Sequence, residues 1–215
     1  MYSINKLLTL FLVLFSLVIH SENSDIFEKA NLSVVAVLGE HSLGSGVIIS
    51  RDGYVLTNWH VIKDEKDFKV LTLGEGGYEE NLREAEVIKY SITSDLALLK
   101  LKSFPQDIQV ARLSQILPNV GDSVHAIGHP HGEIWSYSKG YISAHREDYS
   151  WDVGEQNYRG DVYQMQTPIN PGNSGGPLLN DYGNVVGINT FINTRGQGIT
   201  YAVTVKEIIR FLTSK

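Results

Sequence analysis

Three short motifs carry residues whose types and order suit one chemistry. In Pro171-Gly172-Asn173-Ser174-Gly175-Gly176-Pro177-Leu178 a serine stands among glycines. A nucleophilic hydroxyl needs a tight bend, and backbone N–H groups must face the oxygen that becomes negative in the transition state. Glycine permits the backbone angles that such a bend demands. The stretch Gly172, Asn173 and Ser174 is therefore the expected oxyanion site, with the N–H groups of Gly172 and Ser174 as donors. In Thr57-Asn58-Trp59-His60-Val61 a histidine follows the apolar run Tyr54 to Leu56. Imidazole is the simplest general base near neutral pH. In Ser94-Asp95-Leu96-Ala97-Leu98-Leu99-Lys100 a carboxylate stands at the start of an apolar run. There it can accept from one imidazole nitrogen and leave the other to take the serine proton. Alone, each residue is commonplace. Together, in the order His60, Asp95, Ser174, they spell acyl transfer. They lie 35 and 79 residues apart, so only the fold can join them.

The elements that must do so read as β-structure. Val34 to Leu38 is a β-branched run, and Gly46 to Ser50 and Tyr54 to Thr57 flank Arg51-Asp52-Gly53, a hairpin signal. Phe68 to Leu73, Glu86 to Tyr90 and Leu96 to Leu101 follow as strands. In the second half Ser123 to Gly128, Gly140 to Ala144, Val162 to Thr167, Pro177 to Leu179 and Val185 to Asn189 read the same way. Many short strands at even spacing predict an all-β sandwich or barrel. Ser103 to Pro118 reads as a linker between the halves, and Ser24 to Asn31 as a short helix capped by Ser24. Thr204-Val205-Lys206-Glu207 is a capping-box pattern, and Val205, Ile208, Ile209 and Leu212 make one apolar stripe. A carboxy-terminal helix packed on the β body is expected over 205–214.

Composition removes other classes. The 215 residues hold no cysteine, which excludes disulfides, cysteine nucleophiles and cysteine-ligated zinc. A net charge of −6 argues against a nucleic-acid binder. Leu7 to Ile19 is an apolar run of thirteen residues behind Lys6, too short for the ~20 of a spanning helix. Residues 1–21 are read as a signal peptide or, uncleaved, as an anchor. Export to a bacterial periplasm or beyond follows. His125, His129 and His131 lie within seven residues, but no carboxylate at helical spacing accompanies them. No metal and no cofactor is assigned.

Over about Val34 to Leu212 the sequence resembles the chymotrypsin-like serine proteases, and within them the bacterial HtrA branch. The resemblance is carried by GSGVIISRDGYVLTNWHVI, SDLALLKL, VGDSVHAIGHPHG, QTPINPGNSGGPLLNDYGNVVGINT and GITYAVTV. It implies two six-stranded β-barrels, about 30–103 and 119–204, joined by a linker over 104–118, with the site between them. It implies a serine endopeptidase that works through an acyl-enzyme on polypeptides. Alignment on Ser174 makes Pro168, Ile169, Asn189, Phe191 and Ile192 the pocket for the side chain preceding the cut. Pro168 stands where trypsin carries aspartate, so small or medium aliphatic residues are expected there. Asn173 stands where digestive relatives carry the aspartate of zymogen activation, so no such activation is expected.

The chain also departs from the HtrA pattern. It ends at Lys215, where relatives usually continue into a PDZ domain, so none is expected. Trp59 replaces a small or amide residue, His129-Pro130-His131-Gly132 replaces Asn-Pro-Phe-Gly, and His145 to Asp161 reads as a divergent aromatic loop. Relatives are often trimers, but the elements of that interface have no match here. Two rival readings stand beside the leading one: a protease fold that holds peptides without cutting, and a narrowly specific secreted protease.

Overall fold

The computed structural model describes residues 22–103, 109–192 and 198–214. The leader expected over 1–21 lies outside them. The first described element is helix α1, Glu22–Ala30, so Ser24 sits inside the helix and not at its cap. Strands β1 (Val34–Gly39), β2 (Leu43–Ile48), β3 (Tyr54–Thr57), β4 (Phe68–Leu71), β5 (Leu82–Ser91) and β6 (Leu96–Leu101) follow, all antiparallel. They close into a barrel in the order β1-β2-β3-β6-β5-β4. A one-turn helix, α2 (Trp59–Ile62), leaves β3, and another, α3 (Tyr78–Asn81), precedes β5.

The second half repeats the plan. Strands β7 (Ser123–Gly128), β8 (Ser136–Val153), β9 (Gln156–Met165), β10 (Pro177–Leu179), β11 (Val185–Ile192) and β12 (Thr200–Thr204) close in the order β7-β8-β9-β12-β11-β10. That is the first order with every strand number raised by six. Helix α4 (Val205–Thr213) then buries Val205, Ile208 and Phe211, and half of its expected capping box forms: the Glu207 N–H donates to Thr204 Oγ1 at 3.3 Å, while the Glu207 carboxylate pairs with Arg210 instead of reaching back.

One expectation fails outright. Residues 145–161 are no loop. They belong to a hairpin in which β8 runs for 18 residues and absorbs the short strand expected over 140–144. Register shifts at Ile142/Ala144 and at Arg146/Tyr149 mark bulges, which add twist and bend the hairpin. Its tip reaches the first barrel, where the Arg159 N–H donates to the Thr93 carbonyl at 2.7 Å. Between the barrels, residues 109–114 bond to both: Ala111 N–H to Ile48 O, and Ser114 N–H to Val185 O.

The core does not stop at the barrel boundary. One buried cluster joins Val47, Leu56 and Leu96 of the first barrel to Ile127, Val162 and Ile188 of the second. It also takes in Ile26 and Ala30 of α1, and Ile208 and Phe211 of α4. Each barrel adds a separate interior, mostly β-branched in the first and mixed in the second, where Tyr163, Met165 and Leu178 join Val124 and Ile142. Among the described residues no helix is long and apolar enough to cross a membrane.

Candidate active site

The seam between the barrels gathers the three predicted residues. His60 sits on α2, just past β3, and Asp95 sits one residue before β6, the neighbour of β3. Strand pairing therefore brings together two residues 35 positions apart. His60 Nδ1 meets Asp95 Oδ2 at 2.7 Å, and the His60 backbone N–H donates to Oδ1 at 2.9 Å. The carboxylate is fully buried, and the imidazole keeps 12% of its surface exposed. A buried acceptor opposite Nδ1 puts the proton there and leaves Nε2 as the basic atom.

Asp95 is itself held from several sides. Its φ of +55 is left-handed, a conformation costing an ordinary residue about 1–2 kcal/mol. Its carbonyl accepts from Asn58 Nδ2 at 2.8 Å and from the Trp59 N–H at 3.3 Å. Trp59 lies flat on Tyr90, ring centres 4.2 Å apart. From the other barrel, Thr190 Oγ1 donates to Asp95 Oδ2 at 2.7 Å. The Thr190 carbonyl in turn accepts from Ser174 Oγ at 3.0 Å. Thr190 thus ties the serine to the carboxylate, and sequence reasoning missed it. Its place between Asn189 and Phe191, both already singled out, was the available signal. Among the described residues no hydrogen bond joins Ser174 to His60.

The serine loop is fixed atom by atom. The Pro171 carbonyl accepts from the His131 N–H at 2.9 Å, and the Gly172 carbonyl from Ser45 Oγ at 2.7 Å. The Asn173 carbonyl accepts from the Gly176 N–H at 3.0 Å, and the Ser174 carbonyl from the Ser45 N–H at 2.7 Å. Every carbonyl from 171 to 174 is taken. Among the N–H groups, Asn173 donates to Asn170 O and Gly175 to Asn189 O. Within the expected stretch the Asn173 amide is thus taken inside the loop, and the expected donors are the other two, Gly172 and Ser174. No described carbonyl takes the N–H of Gly172 or of Ser174. Gly172 (φ +103) and Gly175 (φ +86) hold the bend, and a Cβ at Gly172 would run into the His129 carbonyl.

The expected substrate pocket divides. Pro168 and Ile169 line an open depression of about 480 Å³ with Gln166, Thr167, Asn170, Gly198 and Thr200. Asn189 and Phe191 do not line it. Asn189 is fully buried, its Nδ2 directed to Pro177 O at 3.1 Å. Phe191 is stacked between Tyr201 at 4.3 Å and Trp151 at 5.3 Å. Ile192 ends β11, and its side chain lies outside the described ones. The hairpin tip adds Tyr158, whose ring centre stands 6.5 Å from that of His60. The three clustered histidines part company. His125 contacts Tyr137 Oη at 2.6 Å and Asp181 Oδ1 at 2.8 Å, His129 turns to Ser45, and His131 is exposed.

A model of the trypsin-like peptidase domain matches residues 44–188, a span that holds His60, Asp95 and Ser174. The chain belongs to the trypsin-like peptidase family. Among curated relatives, the serine endoprotease DegS of Haemophilus influenzae is 37% identical over 190 residues, covering 83% of this chain and 52% of that protein. The "Probable periplasmic serine endoprotease DegP-like" of Pseudomonas fluorescens is 41% identical over 169 residues, covering 76% and 33%. The chain thus spans about half or less of the length of these relatives. Among solved structures, the serine endoprotease from Yersinia pestis superposes with a TM-score of 0.74 at 32% identity, covering 91% of this chain and 66% of that one. Rv3671c from M. tuberculosis H37Rv, in an inactive form, gives 0.75 at 23% identity, covering 87% and 88%, and shows the same fold. The chain is a homologue of the DegS and DegP-like enzymes, and its two barrels are those of the chymotrypsin type.

Proposed function

We propose that this trypsin-like domain is an exported serine endopeptidase with Ser174 as nucleophile, His60 as general base and Asp95 as the group that orients it. The observation that carries the reading is the 2.7 Å His60–Asp95 pair beside a serine loop with two unspent N–H groups. Ser174 Oγ attacks the scissile carbonyl while His60 Nε2 takes its proton. The oxyanion settles on the Gly172 and Ser174 amides. His60 then returns the proton to the leaving amine, an acyl-enzyme remains, and a water activated by the same imidazole releases it. The resting hydroxyl points at the Thr190 carbonyl, so attack begins with a rotation of Ser174 toward His60. Catalytic hydrogen bonds are often loose without substrate and tighten in the complex.

The described lining of the depression beside Pro168 carries no charged side chain, which supports cleavage after small or medium uncharged residues. Export rests on the apolar run at Leu7 to Ile19 and on the periplasmic relatives. Polypeptides are the partners. Digestion of a peptide library by wild type and Ser174→Ala tests the reading. Wild type is expected to cut after Val, Ala or Leu, and the variant to lose turnover by several orders of magnitude. Equal cutting by both rejects the serine. Binding without cutting by wild type favours a peptide-holding role, for which the Ser174–Thr190 bond is the one supporting observation.

A further inference from the structure

Behind the serine loop lies a buried polar cluster that peptide hydrolysis as written does not use. His129 and Ser45 are both fully buried. His129 Nδ1 stands 2.9 Å from Ser45 Oγ, and the His129 backbone N–H donates to the same oxygen at 3.2 Å. Ser45 Oγ also lies 2.7 Å from the Gly172 carbonyl. A carbonyl cannot donate, so the hydroxyl proton goes to Gly172. A hydroxyl has one proton and two lone pairs. With the proton spent, Ser45 accepts both His129 donors and is saturated. His129 must then carry its proton on Nδ1, and its Nε2 is left buried with no hydrogen-bond partner among the described residues. The ring meets Trp135 at 73°, ring centres 5.1 Å apart.

We propose that His129 is a positioning residue: through Ser45 it locks the Gly172–Asn173 peptide and so keeps the two free N–H groups of the serine loop aimed at the cleft. In a trans peptide the C=O and N–H point opposite ways, so a peptide is oriented by gripping either end. The Gly172–Asn173 peptide lies between the two peptides that carry the free donors. It is gripped at both ends, by Ser45 Oγ on its carbonyl and by Asn170 O on its N–H. Without the His129 proton the Ser45 hydroxyl regains a vacant lone pair and freedom to turn. The next link along, His131 N–H to Pro171 O, comes from the same turn, so His129 also anchors the base of a two-point clamp. This inference rests on the proposed role of Ser174.

The test compares wild type, His129→Leu, Ser45→Ala and His129→Asn in the full chain. Asparagine carries Nδ2 as many bonds from the backbone as histidine carries Nδ1, so it can restore the donor. Ser45→Ala keeps the N–H that holds the Ser174 carbonyl. Labelling of wild type by a fluorophosphonate comes first, and its failure rejects the Ser174 reading and this one with it. Given labelling, His129→Leu and Ser45→Ala should lower kcat by roughly 10²–10³, the effect of losing one oxyanion donor, with KM nearly unchanged. A peptide aldehyde, which mimics the oxyanion, should lose affinity by the same factor, while an uncleaved product peptide should not. His129→Asn should recover most of the rate. Wild-type kcat in both His129→Leu and Ser45→Ala overturns the inference alone. So does a parallel loss of product-peptide affinity that His129→Asn fails to rescue, because that is the mark of simple packing.

Discussion

Asp95 is the residue on which the site turns. One carboxylate takes the His60 N–H, the His60 Nδ1 proton and the Thr190 hydroxyl. Asparagine in its place would present an NH₂ to at least one donor, so Asp95→Asn should lower kcat by about 10⁴ with little change in fold, read by peptide kinetics and circular dichroism. Thr190→Val keeps shape and deletes one charge-assisted bond. It should cost about 1.5–3 kcal/mol of stability in urea titrations and also slow turnover. His129 makes a separate prediction. Burial pushes its imidazole down to about 4, so the unfolded chain takes up a proton near pH 6.5 that the native chain refuses until about 4. Stability should therefore fall as pH drops through that window, by about 3 kcal/mol from this residue alone. The fall should be shallower in His129→Asn, and equal slopes for the two proteins would contradict the assignment. His60, Asp95 and Ser174 were legible in the sequence because each sits in a compact local motif. Thr190 and Ser45 were not, because their partners lie 95 and 127 residues away, and a lone hydroxyl has no local signature.

At the scale of elements, the β8–β9 hairpin shows where pattern reading gives out. Its bulges break the strand alternation, and the exposed run Arg146-Glu147-Asp148 resembles a solvated loop. Asp148 there takes φ +51, and its carboxylate pairs with Arg159 across the hairpin. By contrast, β2, β3 and the turn between them were legible because Asp52-Gly53 suits only a tight reversal. The hairpin carries Trp151 and Tyr158 into the seam, 4% and 1% exposed, and the Tyr158 hydroxyl finds no hydrogen-bond partner among the described residues. Burial raises the pKa of that phenol, so it stays neutral across the working pH range. A buried donor without an acceptor costs free energy. Tyr158→Phe should therefore raise the melting temperature or leave it unchanged, whereas a drop of several degrees would reveal an unseen partner for the hydroxyl. Thr204→Ala, which removes the cap of α4, should cost about 1 kcal/mol.

The whole molecule is two barrels of one strand order, yet the largest core cluster among the described residues crosses between them and includes helices α1 and α4. The sequence carries no visible repeat, because barrel closure constrains alternation and turns, not residue identities. A shared core predicts one cooperative unfolding transition, with calorimetric and van't Hoff enthalpies equal, and two resolved transitions would show that the barrels melt separately. The same seam that joins the cores sets His60 and Asp95 from one barrel against Ser174 and Thr190 from the other, so folding and site assembly are one event. The most direct test of that assembly is to react the protein with a fluorophosphonate and map the adduct by mass spectrometry. A single adduct on Ser174 is expected, absent from Ser174→Ala and formed far more slowly in His60→Ala. An unreacted wild type, an adduct elsewhere, or a wild-type rate in His60→Ala would contradict it.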